Sequence, residues 1–296
     1  MRAVSLHRDV IVVTSQLLQA HCTIVRGASA QGVEEEEVIG APGYEAPPSD
    51  GETFVIDSLV LPEELELLPA LVQQAGFGKP QGLLATHADF DHVLGPLAFP
   101  EAALGCAEST AERLRAEPGA QQRMLRRFDE ELLIERVRPL SLGAPQALAV
   151  PGRCGVGEEE LELHQASGHT GDGMAVWIGW ARVLVSGDYL SDVELPGLRS
   201  REAWLERSRD HGGEEPLEEY LATLQRLRPL VEQAEHVVPG HGDVLDREAA
   251  LSVLDEDIAY LQALRERGVQ AELPRRRRSK VQRELHEQNV ARLAVG

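Results

Sequence analysis

Aromatic residues make up only 4% of the 296 residues, and the chain carries just three cysteines. Cys22, Cys106 and Cys154 are widely spaced and form no C-x-x-C pair. Their odd number argues against a disulfide framework or a zinc ribbon and fits structural thiols in a reducing compartment. Cations are scarce too: 29 Lys and Arg stand against 49 Asp and Glu, a formal charge of −20. A general nucleic-acid binder needs a cationic face to displace counterions from phosphate, so that class is set aside. No apolar run approaches the roughly eighteen residues of a transmembrane helix. Val10-Ile11-Val12-Val13 near the start is too short and too quickly polar for a signal peptide. The expectation is a cytoplasmic protein with neither nucleic-acid nor membrane partners.

What is present suffices for a sizeable core, with 43% hydrophobic residues. We expect one domain over 1–296, with 246–296 as a C-terminal helical extension. Strands are expected at Val10 to Thr14, Cys22 to Arg26, Glu52 to Asp57, Leu104 to Ala107, Ala147 to Val150, Glu160 to Gln165 and Met174 to Trp180. Helices are expected from Pro62 to Ala75, with Pro69 as a kink, from Ser109 to about Glu131, and from Pro216 to about Val231. Asp246 can cap a further helix that presents Leu251, Leu254, Ile258 and Leu261 on one face and stops at Gly268. A last helix is expected over 275–292, opening on Arg275 to Arg278, a surface run paired with the protein's own carboxylates. Met124, Leu125 and Phe128 could serve plain packing, a substrate lid or a homodimer surface. The acidic run Glu34 to Glu37 reads as a solvated face or as a loop edging the site and disfavouring anionic substrates, and the stretch from Tyr189 to Gly213, with Trp204 and His211, reads as a long loop with a short helix, a candidate substrate-recognition element.

The stretch around which the chain is organised is Thr86-His87-Ala88-Asp89-Phe90-Asp91-His92. It follows the short apolar run Gly82 to Ala85 and precedes the breaker Gly95-Pro96. Residues two apart in extended backbone point the same way, so His87, Asp89 and Asp91 can converge. His92 leaves in another direction, which lets the motif serve two metals. Downstream, Gly168-His169-Thr170, Ser186-Gly187-Asp188 and Pro239-Gly240-His241 each offer one more metal-type ligand at a strand end or glycine turn. Seven ligands suit two ions with one bridging carboxylate.

With these motifs the sequence resembles the metallo-β-lactamase-fold hydrolase superfamily, whose five ordered motifs are matched from Asp57 to His241. The resemblance implies an α+β fold, a four-layer αββα sandwich with the site along one edge of its sheets. It also implies two divalent ions, zinc as the expected metal with iron or manganese as alternatives. His87, Asp89 and His169 would hold the first ion, Asp91, His92 and His241 the second, and Asp188 would bridge them. Asp57 would support the metal loop from behind.

One departure matters: the usual motif has His where this chain has Asp89. The extra carboxylate gives the ligands three negative charges, moves preference toward harder metals and predicts a weaker Lewis acid. The implied reaction is attack of a metal-bridging hydroxide on a small ester, lactone, thioester or phosphoester. Asp91 would be catalytic, orienting the nucleophile or taking its proton, and Tyr189 could hydrogen-bond a substrate oxygen or serve as a buried structural tyrosine. The flavodiiron branch, with Glu at this position, is the rival. It would reduce O2 or NO through a separate electron donor, because a fused flavodoxin would need about 150 more residues. A scaffold that had lost catalysis would be expected to have lost ligands, and none of the seven is missing.

Overall fold

The structure is a computed structural model that describes residues 1–27, 51–198 and 215–294. The expectations for Glu34 to Glu37, Trp204 and His211 lie outside the described residues.

Thirteen strands form two sheets among the described residues. The first holds β1 (Arg2–His7), β2 (Val10–Thr14), β3 (His21–Arg26), β4 (Thr53–Asp57), β5 (Gly82–Ala85), β6 (Ala103–Ala107) and β7 (Gln146–Leu148), in that spatial order. Its first four strands pair antiparallel, and β4 to β7 run parallel. The second holds β8 (Gly152–Val156), β9 (Glu159–Gln165), β10 (Met174–Ile178), β11 (Val183–Gly187), β12 (His236–Pro239) and β13 (Leu245–Asp246), with β11 and β12 parallel and the other pairs antiparallel.

Alternation along the strands builds the layers. Val12, Ile56 and Leu84 point between the sheets, where they meet Leu161, Leu163, Val176, Val183 and Val185. Their neighbours Val13, Val55 and Leu83 face the opposite way, onto α1 (Pro62–Gln74), α2 (Gly95–Ala98), α3 (Glu108–Ala116) and α4 (Ala120–Leu132). On the second sheet Ala175, Leu184 and Val237 turn outward to α5 (Pro216–Gln233) and α6 (Arg247–Arg267), with α7 (Lys280–Ala294) packed alongside. A strand buried on both faces has no polar side to spare, which is why β10 and β11 are apolar at nearly every position. The result is the expected order of helices, sheet, sheet and helices.

Several elements differ from their sequence reading. The helix expected over Ser109 to Glu131 is two, broken where Pro118 precedes Gly119 at φ +75°. Strands β1, β8 and β13 are additional. Pro69 sits inside α1 without ending it, while Asp246 caps α6 by accepting the Ala249 N–H at 2.8 Å. The segment 246–294 supplies much of the outer helical layer of the second sheet. The arginine run precedes α7 instead of opening it, and Arg277 is buried at 1% exposure. It pairs with buried Asp257 and donates to the Ser191 and Glu194 carbonyls. A buried guanidinium needs such a full set of acceptors because an unpaired charge there would be very costly. No helix among the described residues is long and apolar enough to cross a membrane.

Candidate metal centre

The site collects at one edge of the sandwich because β4 and β5 run parallel in one sheet, as do β11 and β12 in the other. Asp57 ends β4, His87 lies two residues past β5, Asp188 follows β11 and His241 follows β12. His169 comes from the turn between β9 and β10. From Asp89, in extended backbone, the chain enters a single 3-10 turn over Phe90–His92 that swings Asp91 and His92 apart.

Asp188 is the centre of the cluster. Its Oδ2 lies 3.6 Å from His87 Nε2 and 3.2 Å from His169 Nε2. Its Oδ1 lies 3.1 Å from His92 Nε2 and 3.5 Å from His241 Nε2. Asp89 Oδ2 stands 3.7 Å from His87 Nε2 and 3.8 Å from His169 Nε2, and Asp91 Oδ2 stands 3.3 Å from His241 Nε2. Two compact groups able to hold a metal ion result, His87, Asp89, His169 and Asp91, His92, His241, with a third formed by His87, His92 and Asp188. All seven residues singled out in the sequence come together.

The residues fit a cation on two counts. Nε2 of His87, Nε2 of His92 and Oδ1 of Asp188 are buried and make no aligned hydrogen bond among the described residues, although the last two lie 3.1 Å apart, an expensive condition that a bound ion would relieve. The local field also favours positive charge. Burial opposes protonation of His241 and His169, yet the facing carboxylates overcome it: Asp188 and Asp91 lift His241 to about 10, and Asp188 and Asp89 lift His169 to about 9. Burial would likewise raise Asp188, but His92, His241 and His87 hold it well below the usual carboxylate range. A site that retains protons so strongly in the absence of metal is prepared to exchange them for a cation.

Supporting groups fix these side chains. Asp57 accepts the Thr86 N–H and hydroxyl, each at 2.8 Å, and its Oδ2 lies 3.0 Å from His92 Nδ1. Its backbone is in the left-handed region at φ +58°, an unusual conformation that Asp tolerates better than bulkier residues. Gly240 has no substitute, since a Cβ there would stand 2.1 Å from Asp188 Oδ1 and 2.9 Å from the His92 ring. Tyr189 is 3% exposed, packs its ring 4.6 Å from that of Tyr220 and accepts the His169 N–H at 3.0 Å. Its hydroxyl thus holds the His169 turn, the structural one of the two roles open to it in the sequence.

Three neighbours were not singled out in the sequence. Arg113 on α3, 6% exposed, donates to Asp89 Oδ1 at 2.6 Å and to Asp172 Oδ1 at 2.8 Å. Asp172 also accepts the Ala88 N–H at 3.0 Å. The third is Glu194, on the segment after Asp188; burial raises its carboxyl above the usual range, and its electrostatic neighbours are His241, Asp188, His169 and Asp91. The Gly171-Asp172-Gly173 turn carried a local signal, whereas Arg113 and Glu194 carried none.

The solved structures similar in fold include a metallo-β-lactamase from Pontibacter korlensis, 17% identical with a TM-score of 0.53, covering 88% of this chain and 98% of that one. A metallo-β-lactamase family protein from Thermus thermophilus is 19% identical with a TM-score of 0.55, covering 88% of this chain and 83% of that one. The sec-alkylsulfatase Pisa1 from Pseudomonas sp. is 14% identical with a TM-score of 0.63, and the match spans 96% of this chain but 47% of that protein. Nothing among curated proteins matches. The sequence model of the metallo-β-lactamase superfamily matches residues 46–241, more than half of the chain. Motif order, sheet architecture and this match agree, and the chain belongs to the metallo-β-lactamase superfamily.

Proposed function

We propose that the protein is a dinuclear metal-dependent hydrolase acting on a small ester, lactone, thioester or phosphoester. The observation that carries this reading is the division of Asp188, one oxygen toward His87 and His169 and the other toward His92 and His241. His87, Asp89 and His169 would hold one ion and Asp91, His92 and His241 a second, and a carboxylate so divided could serve both groups. Divalent ions bound there, zinc foremost with iron or manganese as alternatives, would lower the pKa of water toward neutrality and polarise the substrate oxygen.

The protein's own groups supply the rest. Asp91 would orient the attacking water or take its proton, while the Leu18 carbonyl, 3.2 Å from His241 Nδ1, leaves Nε2 of that ring turned toward the site. Asp57 fixes the His92 ring through Nδ1 and so aims Nε2 at the site. Tyr189 keeps His169 in register from beneath. The substrate is a free small molecule, bound without nucleic acid or membrane. Free thiols at Cys22, Cys106 and Cys154 support a cytoplasmic setting.

Metal analysis tests the reading directly. Protein reconstituted separately with zinc, manganese and iron should hold two equivalents per chain and hydrolyse at least one class in a panel of esters, lactones, thioesters and phosphodiesters. The panel should include a β-lactam and a sulfate ester, after the names of the structural neighbours. A single equivalent, or two equivalents with no hydrolysis, would sink it.

A further inference from the structure

The residue that departs from the usual motif, Asp89, is also the one gripped by a buried arginine. Its Oδ1 accepts from Arg113 at 2.6 Å, while its Oδ2 is the oxygen turned toward His87 and His169. Arg113 cannot follow any movement of that carboxylate. Its other amino group is fixed to Asp172, and Asp172 is anchored in turn to the Ala88 N–H, one residue from Asp89. Gln121 completes the frame by donating to the Ala88 carbonyl at 3.0 Å. Backbone and side chain around Asp89 are therefore held from α3 and α4 together.

We propose that Asp89 and Arg113 act as one unit that takes the place of the family's histidine, with Arg113 as the positioning residue for Asp89. This rests on the reading of the site as a metal centre. An imidazole offers one donor atom and no charge. A lone carboxylate offers two donor atoms and a negative charge, and swings between one-oxygen and two-oxygen binding. The guanidinium engages one oxygen, leaves a single oxygen facing the histidines and offsets the charge locally. Asp172 restores the overall balance through the other amino group of Arg113 and the Ala88 N–H. The weaker Lewis acidity expected from an additional anionic ligand is moderated accordingly.

Substitution tests the exchange, read as metal affinity by chelator competition. The single variant Asp89→His would set an imidazole and a bound cation against a buried guanidinium stripped of its partner. Its affinity should fall by about 10- to 100-fold. Asp89→His combined with Arg113→Gln removes the stranded charge, keeps a donor for Asp172 and should recover most of the loss, a coupling of roughly ten-fold or more. Equal affinity of Asp89→His and the parent, or a double variant no better than Asp89→His, overturns the proposal. Should the histidine variants not fold, Arg113→Gln alone decides through cobalt(II) absorption. Release of the second oxygen raises the coordination number and weakens the visible bands, so an unchanged spectrum also overturns it. Failure of the parent protein to bind metal would sink the proposed function itself, a result distinct from either outcome.

Discussion

Asp57 Oδ2 lies 3.0 Å from Nδ1 of His92, and the same carboxylate accepts both the N–H and the hydroxyl of Thr86. One side chain thus sets the ring of one candidate ligand and the backbone that leads into another. Asp57→Asn keeps the shape and tolerates the positive φ but withdraws the charge that favours an Nδ1 proton on His92. We expect affinity at the group of Asp91, His92 and His241 to drop by about 10- to 100-fold, with the other group little changed. Stepwise chelator titration separates the two, and equal losses at both would contradict the assignment.

The pH dependence of the metal-free protein has a defined sign. Carboxylates lift His169 to about 9 and His241 to about 10 against burial, from an ordinary 6.5. Between 6.5 and these values the folded chain binds protons that the unfolded chain has released, so stability falls as pH rises. The contribution is complete below 6.5 and gone above 10. Metal competes with those same protons, so the stabilisation it gives grows over the same window. Melting curves with and without metal should diverge from about pH 7 upward; a metal-free Tm that holds steady or climbs there would refute this.

Gly240→Ala should abolish metal binding at the centre while leaving a folded protein. A methyl at 2.1 Å from Asp188 Oδ1 must displace the shared carboxylate. Far-ultraviolet circular dichroism and metal content, measured together, check both halves of that statement.

Hydrolysis and redox chemistry separate cleanly. Iron-loaded protein supplied with an artificial reductant should consume oxygen no faster than the reductant alone, whereas the flavodiiron alternative requires steady uptake. An oxygen electrode decides it.

The segment after Asp188 is fastened by the C-terminal helix. Asn289, fully buried, accepts the Leu198 N–H at 2.9 Å and donates to the Pro196 carbonyl at 2.7 Å; Gln282 accepts the Leu195 N–H at 2.7 Å. Asn289→Ala would leave a buried donor and a buried acceptor unpaired, costing about 2–3 kcal/mol and lowering Tm by roughly 5 °C. Thermal unfolding of the metal-free variant is the test, and a Tm within error of the parent would show that the fastening contributes little.

The sequence was most legible where partners are close along the chain. His87, Asp89, Asp91 and His92 lie within six residues, and their ligand chemistry needs only a strand end and a turn. The order of the remaining motifs then carried the sandwich. Arg113 was invisible because its partners lie 24 and 59 positions away, and an arginine in a charge-rich helix looks like solvated surface. Arg277 was misjudged for the same reason, its partner Asp257 being 20 positions back on α6. The break at Pro118-Gly119 did carry a local signal. β1 and β8 are strands with few buried positions, so little hydrophobic alternation announces them.

The candidate ligands come in unequal shares from the two sheets. His87, Asp89, Asp91 and His92 belong to the first half of the chain, and His169, Asp188 and His241 to the second. Any ion seated among them is therefore a rivet across the seam of the sandwich, and stripping it would let the halves part first at that edge. Two separately expressed fragments divided near Pro151 would then need the ion in order to reassociate.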